Sequence, residues 1–566
     1  MEDRRLHGRR TDTDMRNHRR AILHLLSSIL VCALVALGGC TNYPWVVPAR
    51  EQKPVDRSVV ETPAGYALVP FVKGLTAPTA IAIDNEEGPH KGTVLVAESG
   101  AGGADPRVIG IRPDGTVFNV YPSGRPIPIP LLRTGFQIYG PIGGMVVTGG
   151  KILVTHRDAH GMGTITALGY DGSHETIVAD LPAQGDYSVT DIAVSPRDGR
   201  IFFGVGAATN SGVVGLDNWA VGWVNDYAQF CDVPYVALKL LGYRFDTTNP
   251  KGGGLFGAET AVTAPFQPFN VSNQTRIAAP TNGKPGAALY SAAPTGGDLR
   301  VEAHGIRLPR GLAFDIYSNL YFTNNGMELR GTRPVKDDPD VIVKFVGGTW
   351  YGWPDYSADL YPIAEERFRE LDLLVRHGYP ELAFLIDHDS SRLASPVQFR
   401  EQLLRATFPS QSGAAKLDFV KETGPFAKDF RGEAVVALSG NRAPFATSGR
   451  KLEQAPGREV MLVDLDRRTA KSFIRNTADA PGSQTGERDA LERPIDVKFS
   501  NDGALYVLDY GRMTVVDGHE RVKGGTGRIL RLVPLDALTT IPSTQPDASG
   551  RVKTQRPLTY EPGVRP

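Results

Sequence analysis

The sequence is poor in cysteine, since its 566 residues contain only Cys32, Cys40 and Cys231. Cys32 and Cys40 fall in or directly after an apolar N-terminal segment, so the rest of the chain has one thiol and no internal disulfide. The chain also lacks an excess of charge, because 62 Lys and Arg balance 62 Asp and Glu. A net charge of zero gives no electrostatic case for binding nucleic acid. We therefore expect a fold without disulfides and no nucleic acid among its partners.

Several common motifs are missing as well. The sequence has no P-loop, no Rossmann fingerprint and no Gly-x-Ser-x-Gly elbow. Helical periodicity is scarce, and only residues 364–374 and 395–406 predict helices. These features argue against nucleotide-binding α/β folds and serine hydrolases.

The N-terminal segment has the features of an export signal. Residues 1–20 are rich in Arg, residues 21–39 are apolar and uncharged, and the run ends in Leu37-Gly38-Gly39-Cys40. This order predicts a signal peptide over residues 1–39. Leu-Gly-Gly-Cys also resembles a bacterial lipobox, which implies cleavage before Cys40 and a lipid on its sulfur. We expect an exported protein, lipid-anchored in the cell envelope on the periplasmic or outer surface. An uncleaved transmembrane anchor is the alternative, and Sec and twin-arginine export both stay open.

The chain falls into four parts by composition. After the signal peptide, residues 40–63 are polar and contain Pro, as expected of a tether to the membrane. Residues 64–537 hold the repeating strand pattern described next. Residues 538–566 are rich in Pro, Thr and Ser without apolar periodicity, which predicts a flexible tail.

The interior repeats, and this is the strongest structural signal. Six runs share a polar turn, four or five apolar residues and a polar end: GTVLVAES (92–99), GKILVTHR (150–157), GRIFFGVG (199–206), SNLYFTNN (318–325), GEAVVALS (432–439) and GALYVLDY (503–510). Another apolar strand precedes each run: PTAIAID (78–84), PIGGMVV (141–147), VTDIAVS (189–195), PRGLAFD (309–315), AAKLDFV (414–420) and RPIDVKF (493–499). Strand–turn–strand units with little helix between them predict an all-β, six-bladed β-propeller. Wider spacing after Asn210 and after Pro354 predicts long insertions between core strands.

In a propeller, loops from different blades meet on one face around the central channel. The positions flanking the strands carry unusual polar residues: His156, Arg157, Asp186, Tyr187, Asp191, Asn210, Arg307, Arg310, Asn324, Asn325, Asn441, Arg442, Arg493, Asp509 and Arg512. Arginines directed at one axis repel each other unless an anion or carboxylates lie between them. The set therefore predicts either a site for a polycarboxylate or phosphate, or separate surface pairs with nearby Asp and Glu.

Six segments together carry a family resemblance. They are AIAID…GTVLVAES (80–99), DIAVSPRDGRIFFGVGAATNSGVVG (191–215), AHGIRLPRGLAFD (303–315), YFTNNG…RGTRP (321–334), GGTWYGWPDY (347–356) and RPIDVKFSNDGALYVLDYG (493–511). In composition and order they resemble the glucose/sorbosone dehydrogenase family, six-bladed quinoproteins that use pyrroloquinoline quinone (PQQ) and calcium.

This resemblance implies an exported oxidoreductase that oxidises a sugar or polyol and passes electrons to an acceptor that the sequence does not identify. PQQ is held in the family by arginines and a lysine, and Ca²⁺ by oxygen ligands that include backbone carbonyls. Carried over, Gly305 and Pro309 bound the metal loop. The cofactor-binding positions are Asn210, Arg307, Arg310, Asn325, Asn441, Arg442 and Arg493.

Three positions depart from the family pattern. Tyr187 stands where relatives place the catalytic histidine, Leu308 replaces an amide, and Thr209 replaces an arginine beside Asn210. The candidate bases are therefore Tyr187 and His156, although a phenol is a poor base at neutral pH. The alternatives are a propeller that has lost dehydrogenase chemistry and binds carbohydrate or an envelope component, and a Ca²⁺-dependent lactonase-type hydrolase, which needs a carboxylate-rich axis.

Overall fold

The structure is a computed structural model that describes residues 44–101, 104–122, 135–252, 259–272, 277–278, 283–370, 381–441, 456–500, 504–516 and 519–539. All of these except Gly135 belong to one compact unit, Pro44–Arg125 with Phe136–Pro566. Cys40, the predicted signal peptide and most of the predicted tail lie outside the described residues. No helix in the described ranges is long and apolar enough to cross a membrane.

The fold is a six-bladed β-propeller, as predicted. Each blade is an antiparallel sheet with four core strands, which are given below in order from the axis outward. Blades 1 to 3 consist of Pro78–Ile83, Val94–Glu98, Arg107–Ile111 and Val117–Tyr121; Met145–Thr148, Lys151–Arg157, Gly163–Leu168 and His174–Leu181; and Val189–Val194, Ile201–Val205, Ala288–Ala292 and Arg300–His304. Blades 4 to 6 consist of Pro309–Phe314, Leu320–Asn324, Asp340–Lys344 and Leu404–Phe408; Ala414–Phe419, Ala434–Leu438, Glu459–Asp464 and Thr469–Asn476; and Pro494–Phe499, Leu505–Asp509, Gly527–Pro534 and Tyr66–Leu75.

The ring closes through a segment from the other end of the chain. Tyr66–Leu75 precedes blade 1 in sequence but pairs with Gly527–Pro534 as the outermost core strand of blade 6. Residues 44–63, which the sequence predicts as part of a tether, hold two further short strands. Trp45–Val46 pairs with Tyr66–Leu75, and Val60–Glu61 pairs with the last strand of blade 5.

Helices are short and few, and they lie between or after core strands. The α-helices are Leu216–Val221, Trp223–Asp226, His388–Ser391, Arg400–Leu403, Ala427–Phe430, Gly482–Thr485 and Leu535–Thr539, and the 3₁₀ turns are Ala49–Glu51, Glu366–Phe368 and Pro396–Phe399. The two predicted helices are only partly present. Residues 364–370 hold a single 3₁₀ turn, and residues 395–406 turn into a strand at Leu404.

Both predicted insertions are present. In blade 3, residues 206–287 separate the second and third strands, and in blade 4, residues 345–403 separate the third and fourth. In the described ranges, three small two-stranded sheets lie outside the core blades: Leu238–Lys239 with Ile277–Ala278, Phe245–Thr248 with Thr260–Thr263, and Met513–Val516 with His519–Val522. Arg300–His304 is the last strand of blade 3 and Pro309–Phe314 is the first strand of blade 4, so residues 305–308 connect the two blades.

The hydrophobic core lies between the blades. Each of the six blade junctions encloses one cluster of buried side chains, and a separate cluster forms where the two insertions pack together. Strands such as Val94–Glu98 and Ala434–Leu438 are buried on both faces, which explains their continuous apolar runs. Each fully buried Val, Leu or Ile contributes about 1.5–3 kcal/mol.

Polar side chains join neighbouring innermost strands across the junctions. Asp191 accepts a hydrogen bond from Leu312 N at 3.0 Å, and Asp496 accepts one from Ile81 N at 2.8 Å. Thr79 Oγ1 donates to Ile142 O at 2.7 Å. These bonds satisfy backbone groups that face a neighbouring blade, and they fix the innermost strands around the channel.

Candidate functional site

A cavity of about 710 Å³ lies where the six blades converge. Every blade contributes a residue in or just before its innermost strand: Thr79, Gly143, Val189, Arg310, Lys416 and Ile495. A smaller cavity of about 240 Å³ lies by the outermost strands of blade 5, beside Glu61 and Lys471. The central cavity is the candidate site, because it gathers charged side chains from distant parts of the chain.

Arg307 lines this cavity but uses its whole guanidinium within the protein. Its Nε donates to Asn210 O at 3.0 Å, one terminal nitrogen to Asn325 O at 3.3 Å and Gly326 O at 2.5 Å, and the other to Tyr187 Oη at 2.7 Å and Asn210 Oδ1 at 2.9 Å. A guanidinium has five N–H groups, so none is left for a ligand. Arg307, predicted as a cofactor-binding residue, therefore joins blades 3 and 4 through its hydrogen bonds.

The side chain of Asn210 also makes all of its hydrogen bonds with other residues of the protein. Its Oδ1 accepts from Arg307 and from Glu328 N, and its Nδ2 donates to Glu328 O at 2.8 Å and to Arg330 O at 3.2 Å. Trp353 Nε1 donates to its backbone oxygen at 3.1 Å. Asn210 is buried and is not among the cavity-lining residues. It holds the loop after blade 4's second strand, whereas the sequence predicts contact with a cofactor.

The two predicted bases are placed differently. His156 does not line the cavity. Its Nδ1 bonds with Arg157 O at 2.6 Å and its Nε2 with Thr166 Oγ1 at 2.8 Å, both inside blade 2. Burial lowers the pKa of His156. Tyr187 does line the cavity, but burial raises the pKa of its hydroxyl despite the nearby Arg307 and Arg330. Neither geometry favours proton abstraction at neutral pH.

Four of the other predicted cofactor-binding residues, Arg310, Asn325, Asn441 and Arg493, line the cavity. Arg310 donates to Gly413 O at 3.2 Å and Ser439 Oγ at 3.0 Å, and Arg493 donates to Ser439 O at 3.0 Å. Asn325 Nδ2 donates to Ala414 O at 3.0 Å, and Asn441 Nδ2 donates to Gln411 Oε1. Arg442 lies outside the described residues. The structure thus brings together Tyr187, Arg307, Arg310, Asn325, Asn441 and Arg493.

The predicted metal loop offers few open ligands. The carbonyl of Gly305 accepts from Trp353 N at 2.9 Å, and the carbonyl of Pro309 accepts from Thr190 Oγ1. Gly305 also has a φ of +70°, and a Cβ there would meet the Trp350 ring at 2.3 Å. Within the described ranges, no group of three or more His, Cys, Asp or Glu side chains is arranged to hold a metal ion. These residues do not fit a calcium centre built on carboxylates.

A buried acidic group beside Tyr187 is not predicted by the sequence. Arg330 forms ion pairs with Asp186 at 2.8 Å, with Asp217, and with Glu328 at 3.3 Å. Burial raises the pKa of Asp217 and of Glu328 above the ordinary carboxyl range. Sequence patterns miss this cluster, because its members come from three segments that are distant in sequence: the loop before blade 3, the helix Leu216–Val221 and the loop after the second strand of blade 4.

Two buried donors at the cavity have no hydrogen-bond partner among the described residues. Lys416 Nζ lies 3.2 Å from Asp191 Oδ1 and 3.7 Å from Asp496 Oδ2, yet neither it nor Ser188 Oγ makes a hydrogen bond of good geometry with the described residues. Both side chains are more than nine-tenths buried and line the cavity. One sequence signal could have found Lys416. Asp191, Lys416 and Asp496 each occupy the third position of an innermost strand, so three blades carry a charged residue at the same place.

No protein-family model matches the chain, and neither does any curated protein. The similar solved structures include an oxidoreductase described as a glucose dehydrogenase from Thermus thermophilus, which is 16% identical, with 83% of this chain and 100% of that chain covered and a TM-score of 0.44. A second is the holo PQQ domain of pyranose dehydrogenase from Coprinopsis cinerea, which is 12% identical, with 85% of this chain and 98% of that chain covered and a TM-score of 0.46. A third is the PQQ-bound aldose sugar dehydrogenase from Streptomyces coelicolor, which is 13% identical, with 85% of this chain and 99% of that chain covered and a TM-score of 0.41. Sugar dehydrogenases, which the sequence motifs resemble, are thus among the solved structures similar to this chain. At these identities the likeness concerns the fold, which the sheet topology of this chain establishes by itself.

Proposed function

We propose that this chain is a sugar-oxidoreductase-type propeller that takes a sugar or polyol into its central cavity, with PQQ as its cofactor. One observation carries the proposal: Lys416 Nζ and Ser188 Oγ are buried donors without hydrogen-bond partners among the described residues, and both residues line the cavity. Lys416 is also ion-paired with Asp191 and Asp496. A buried polar group without a partner costs about 1–3 kcal/mol. A ligand rich in oxygen acceptors recovers that free energy when it binds.

The cavity fits the carboxylates of PQQ better than it fits calcium. Lys416, Arg310 and Arg493 are cationic residues of the cavity lining, and Ser188 adds a neutral donor. These residues would hold the cofactor, which supplies a quinone that accepts hydride when it is bound. No calcium-dependent step is proposed, because the loop carbonyls described above already accept hydrogen bonds and the described carboxylates form no ligand cluster.

A second candidate function is a propeller that binds carbohydrate or an envelope component without oxidising it. The specific observation in its favour is that both predicted bases are poorly placed: His156 is bonded through both ring nitrogens, and the pKa of Tyr187 is raised by burial. This candidate shares the cavity and its donors with the first, and it differs only in the absence of turnover.

Titration of PQQ into the purified protein, followed by quinone absorbance and melting temperature, tests the proposal. A ligand that binds only the folded state raises the melting temperature by mass action. Dye reduction with a panel of aldoses and polyols then separates the two candidates. Binding with sugar-dependent reduction supports the oxidoreductase, binding of sugar alone supports the second candidate, and binding of neither overturns both.

Ser188→Ala identifies the cavity donor without disturbing the fold. Because Ser188 Oγ has no hydrogen bond to lose among the described residues, its removal should leave stability unchanged or raise it. The affinity for the bound ligand should fall about 2- to 12-fold, the equivalent of one hydrogen bond of about 0.5–1.5 kcal/mol. Thr93→Val is the matched control, since Thr93 Oγ1 is also buried and unpartnered in the described ranges but lies outside the cavity lining. Equal affinities of Ser188→Ala and wild type would remove Ser188 from the site.

We also propose that the chain is exported and lipid-anchored at Cys40, so that the cavity meets its substrate in the cell envelope. The support is the sequence order of an Arg-rich start, an apolar run and Leu-Gly-Gly-Cys. Electrons from the substrate then pass to an acceptor in that compartment.

A further inference from the structure

We propose that the carboxylate of Glu328 is the proton acceptor in the cavity, in the role for which the sequence offers only His156 and Tyr187. This inference rests on the proposed oxidoreductase function and deepens it. It starts from the way in which the loop after the second strand of blade 4 presents Glu328 to the cavity wall.

The backbone of Glu328 is fixed by one side chain. Asn210 Oδ1 accepts from Glu328 N at 2.9 Å, and Asn210 Nδ2 donates to Glu328 O at 2.8 Å. Asn210 is itself held by Arg307, which spans blades 3 and 4. A proton acceptor has to stay within hydrogen-bond reach of the substrate hydroxyl. Asn210 and Arg307 are therefore positioning residues for Glu328.

The carboxylate of Glu328 also keeps access to the cavity. Its Oε2 accepts from Arg330 Nε at 3.3 Å, and 17% of the side chain stays exposed. Arg330 does not saturate it, because the same guanidinium also pairs with Asp186 and Asp217. Glu328 can thus receive a hydroxyl proton from a molecule in the cavity.

Four other carboxylates line the cavity: Asp186, Asp226, Asp340 and Glu520. Asp226 is exposed, and Glu520 accepts a hydrogen bond from Tyr510 Oη. The two buried carboxylates are less suited than Glu328. The side chain of Asp186 is fully buried, and its oxygens already accept from Asn218, Trp223 and Arg330. Asp340 is buried too, with Oδ1 accepting from Gly326 N and Oδ2 from Gly413 N and Ala414 N. The oxygens of Asp186 and Asp340 are already occupied by hydrogen bonds within the protein, so these two carboxylates are poor acceptors for a substrate proton.

Two further groups at the cavity need separate treatment. Tyr187 Oη accepts hydrogen bonds from Arg307 and Arg330, and a neutral phenol is a weak base. His519 is exposed on the hairpin of Met513–Val516 and His519–Val522 at the edge of the cavity. His519 is the residue that the test below has to separate from Glu328.

The charges around Glu328 favour a base with a pKa closer to neutrality. Burial raises the pKa of Glu328, Asp340 acts in the same direction, and Arg307 and Arg330 act against it. Asp186, Asp217 and the Tyr187 hydroxyl complete the charged and titratable groups around Arg330. A general base works best when its pKa lies near the operating pH.

The chemical step balances with a quinone-class oxidant. A substrate H–C–O–H loses its hydroxyl proton to the Glu328 carboxylate, which becomes a carboxylic acid. A bound quinone would supply the oxidant: the C–H bond would break, its hydrogen would leave with both electrons as hydride, and the oxygen lone pair would form the new C=O bond. The substrate loses two electrons and the quinone gains two. The proton on Glu328 returns to solvent through the exposed part of its side chain.

Glu328→Gln is the central variant, and Glu492→Gln is its matched control. Glu492 is also largely buried and accepts from Arg512 Nε at 3.1 Å, but it lies outside the cavity lining. In sugar-dependent reduction with PQQ and a dye, Glu328→Gln should lower kcat about 10²- to 10⁴-fold, the usual contribution of a general base. KM and the affinity for PQQ should stay within about threefold, since Gln keeps an acceptor for Arg330. Glu492→Gln should behave as wild type in both respects.

Two further readouts do not rest on the kcat of a variant: the first needs only the wild type, and the second needs no turnover. In the wild type, kcat should rise with pH through an ionisation above the ordinary glutamate pKa of about 4.3. Infrared difference spectra of the protein alone should show a protonated carboxyl band that disappears over the same pH interval. Because burial also raises the pKa of Asp217 and Asp232, Glu328→Gln should weaken this band without removing it, and Glu492→Gln should leave its intensity unchanged.

The outcomes separate this inference from the proposed function. No sugar-dependent reduction by the wild type overturns both. Reduction by the wild type with an unchanged kcat in Glu328→Gln overturns the role of Glu328 alone, as does loss of activity in His519→Ala with full activity in Glu328→Gln. A wild-type pH profile without an ionisation above the ordinary glutamate range also refutes it.

Discussion

Replacement of Arg307 tests whether this residue ties the propeller together. Arg307→Met removes five hydrogen bonds. Three of the acceptors keep a second donor: Asn210 O keeps Trp353 Nε1, Asn210 Oδ1 keeps Glu328 N, and Tyr187 Oη keeps Arg330. The largest loss therefore falls on the carbonyls of Asn325 and Gly326, which share one guanidinium nitrogen.

The magnitude follows from those two carbonyls. A buried acceptor that loses its partner costs about 1–3 kcal/mol, so Arg307→Met should lower the free energy of unfolding by about 2–6 kcal/mol. Arg307→Lys should cost nearly as much. A lysine ammonium is a point charge with three donors, and it cannot reach both Asn210 and the carbonyl pair as the planar fork does.

Urea denaturation followed by tryptophan fluorescence measures the effect as a shift of the midpoint at unchanged slope. Arg300→Lys is the control, because Arg300 is exposed and pairs with Asp298 at the surface. That variant should stay within about 0.5 kcal/mol of wild type. If the free energy of unfolding of Arg307→Lys stayed within the same margin, the structural role of Arg307 would be refuted, and Arg307 would again be a candidate ligand-binding residue.

Three further predictions follow from other positions. His156→Ala should lower stability, because it removes both imidazole hydrogen bonds in blade 2, yet leave the affinity for the cavity ligand unchanged in calorimetry. Burial raises the pKa of Asp232 to about 6, so the folded state binds its proton more tightly than the unfolded chain does. The resulting stability is complete below about pH 4 and is lost as pH rises through about 6, a loss of about 2–3 kcal/mol that Asp232→Asn should abolish in denaturation curves at each pH. Cys40→Ser should prevent incorporation of labelled fatty acid and release the protein from the membrane fraction, and unchanged labelling would refute lipidation at this residue.

The blades were accessible to prediction because their signals are local. Each innermost strand and its neighbour form a short apolar pair with a polar turn, and all six predicted pairs are strands of the predicted blades. The two insertions were accessible for the same reason, as gaps in the spacing. The helices Leu216–Val221 and Trp223–Asp226 were not, because short helices inside an insertion depend on packing against the rest of the protein more than on their own periodicity.

The cavity was harder to predict because side-chain roles depend on partners distant in sequence. Arg310, Asn325, Asn441 and Arg493 do line the cavity, since loop position in a propeller follows from strand order. His156 illustrates the limit: it ends the right strand, but its ring nitrogens bond within blade 2. The sequence cannot show which way a side chain at the end of a strand is directed once the sheets twist and pack.

By itself, the sequence determined six blades, their order and the position of both insertions, because alternating turns and apolar runs specify strands locally. The tertiary structure alone decided that Tyr66–Leu75 closes blade 6, that Arg307 and Asn210 are used up inside the protein, and that Lys416, Ser188 and Glu328 face the cavity. The physical reason is that a polar group is available to a ligand only if no protein partner satisfies it. Those partners come from other blades and loops, and folding brings them together.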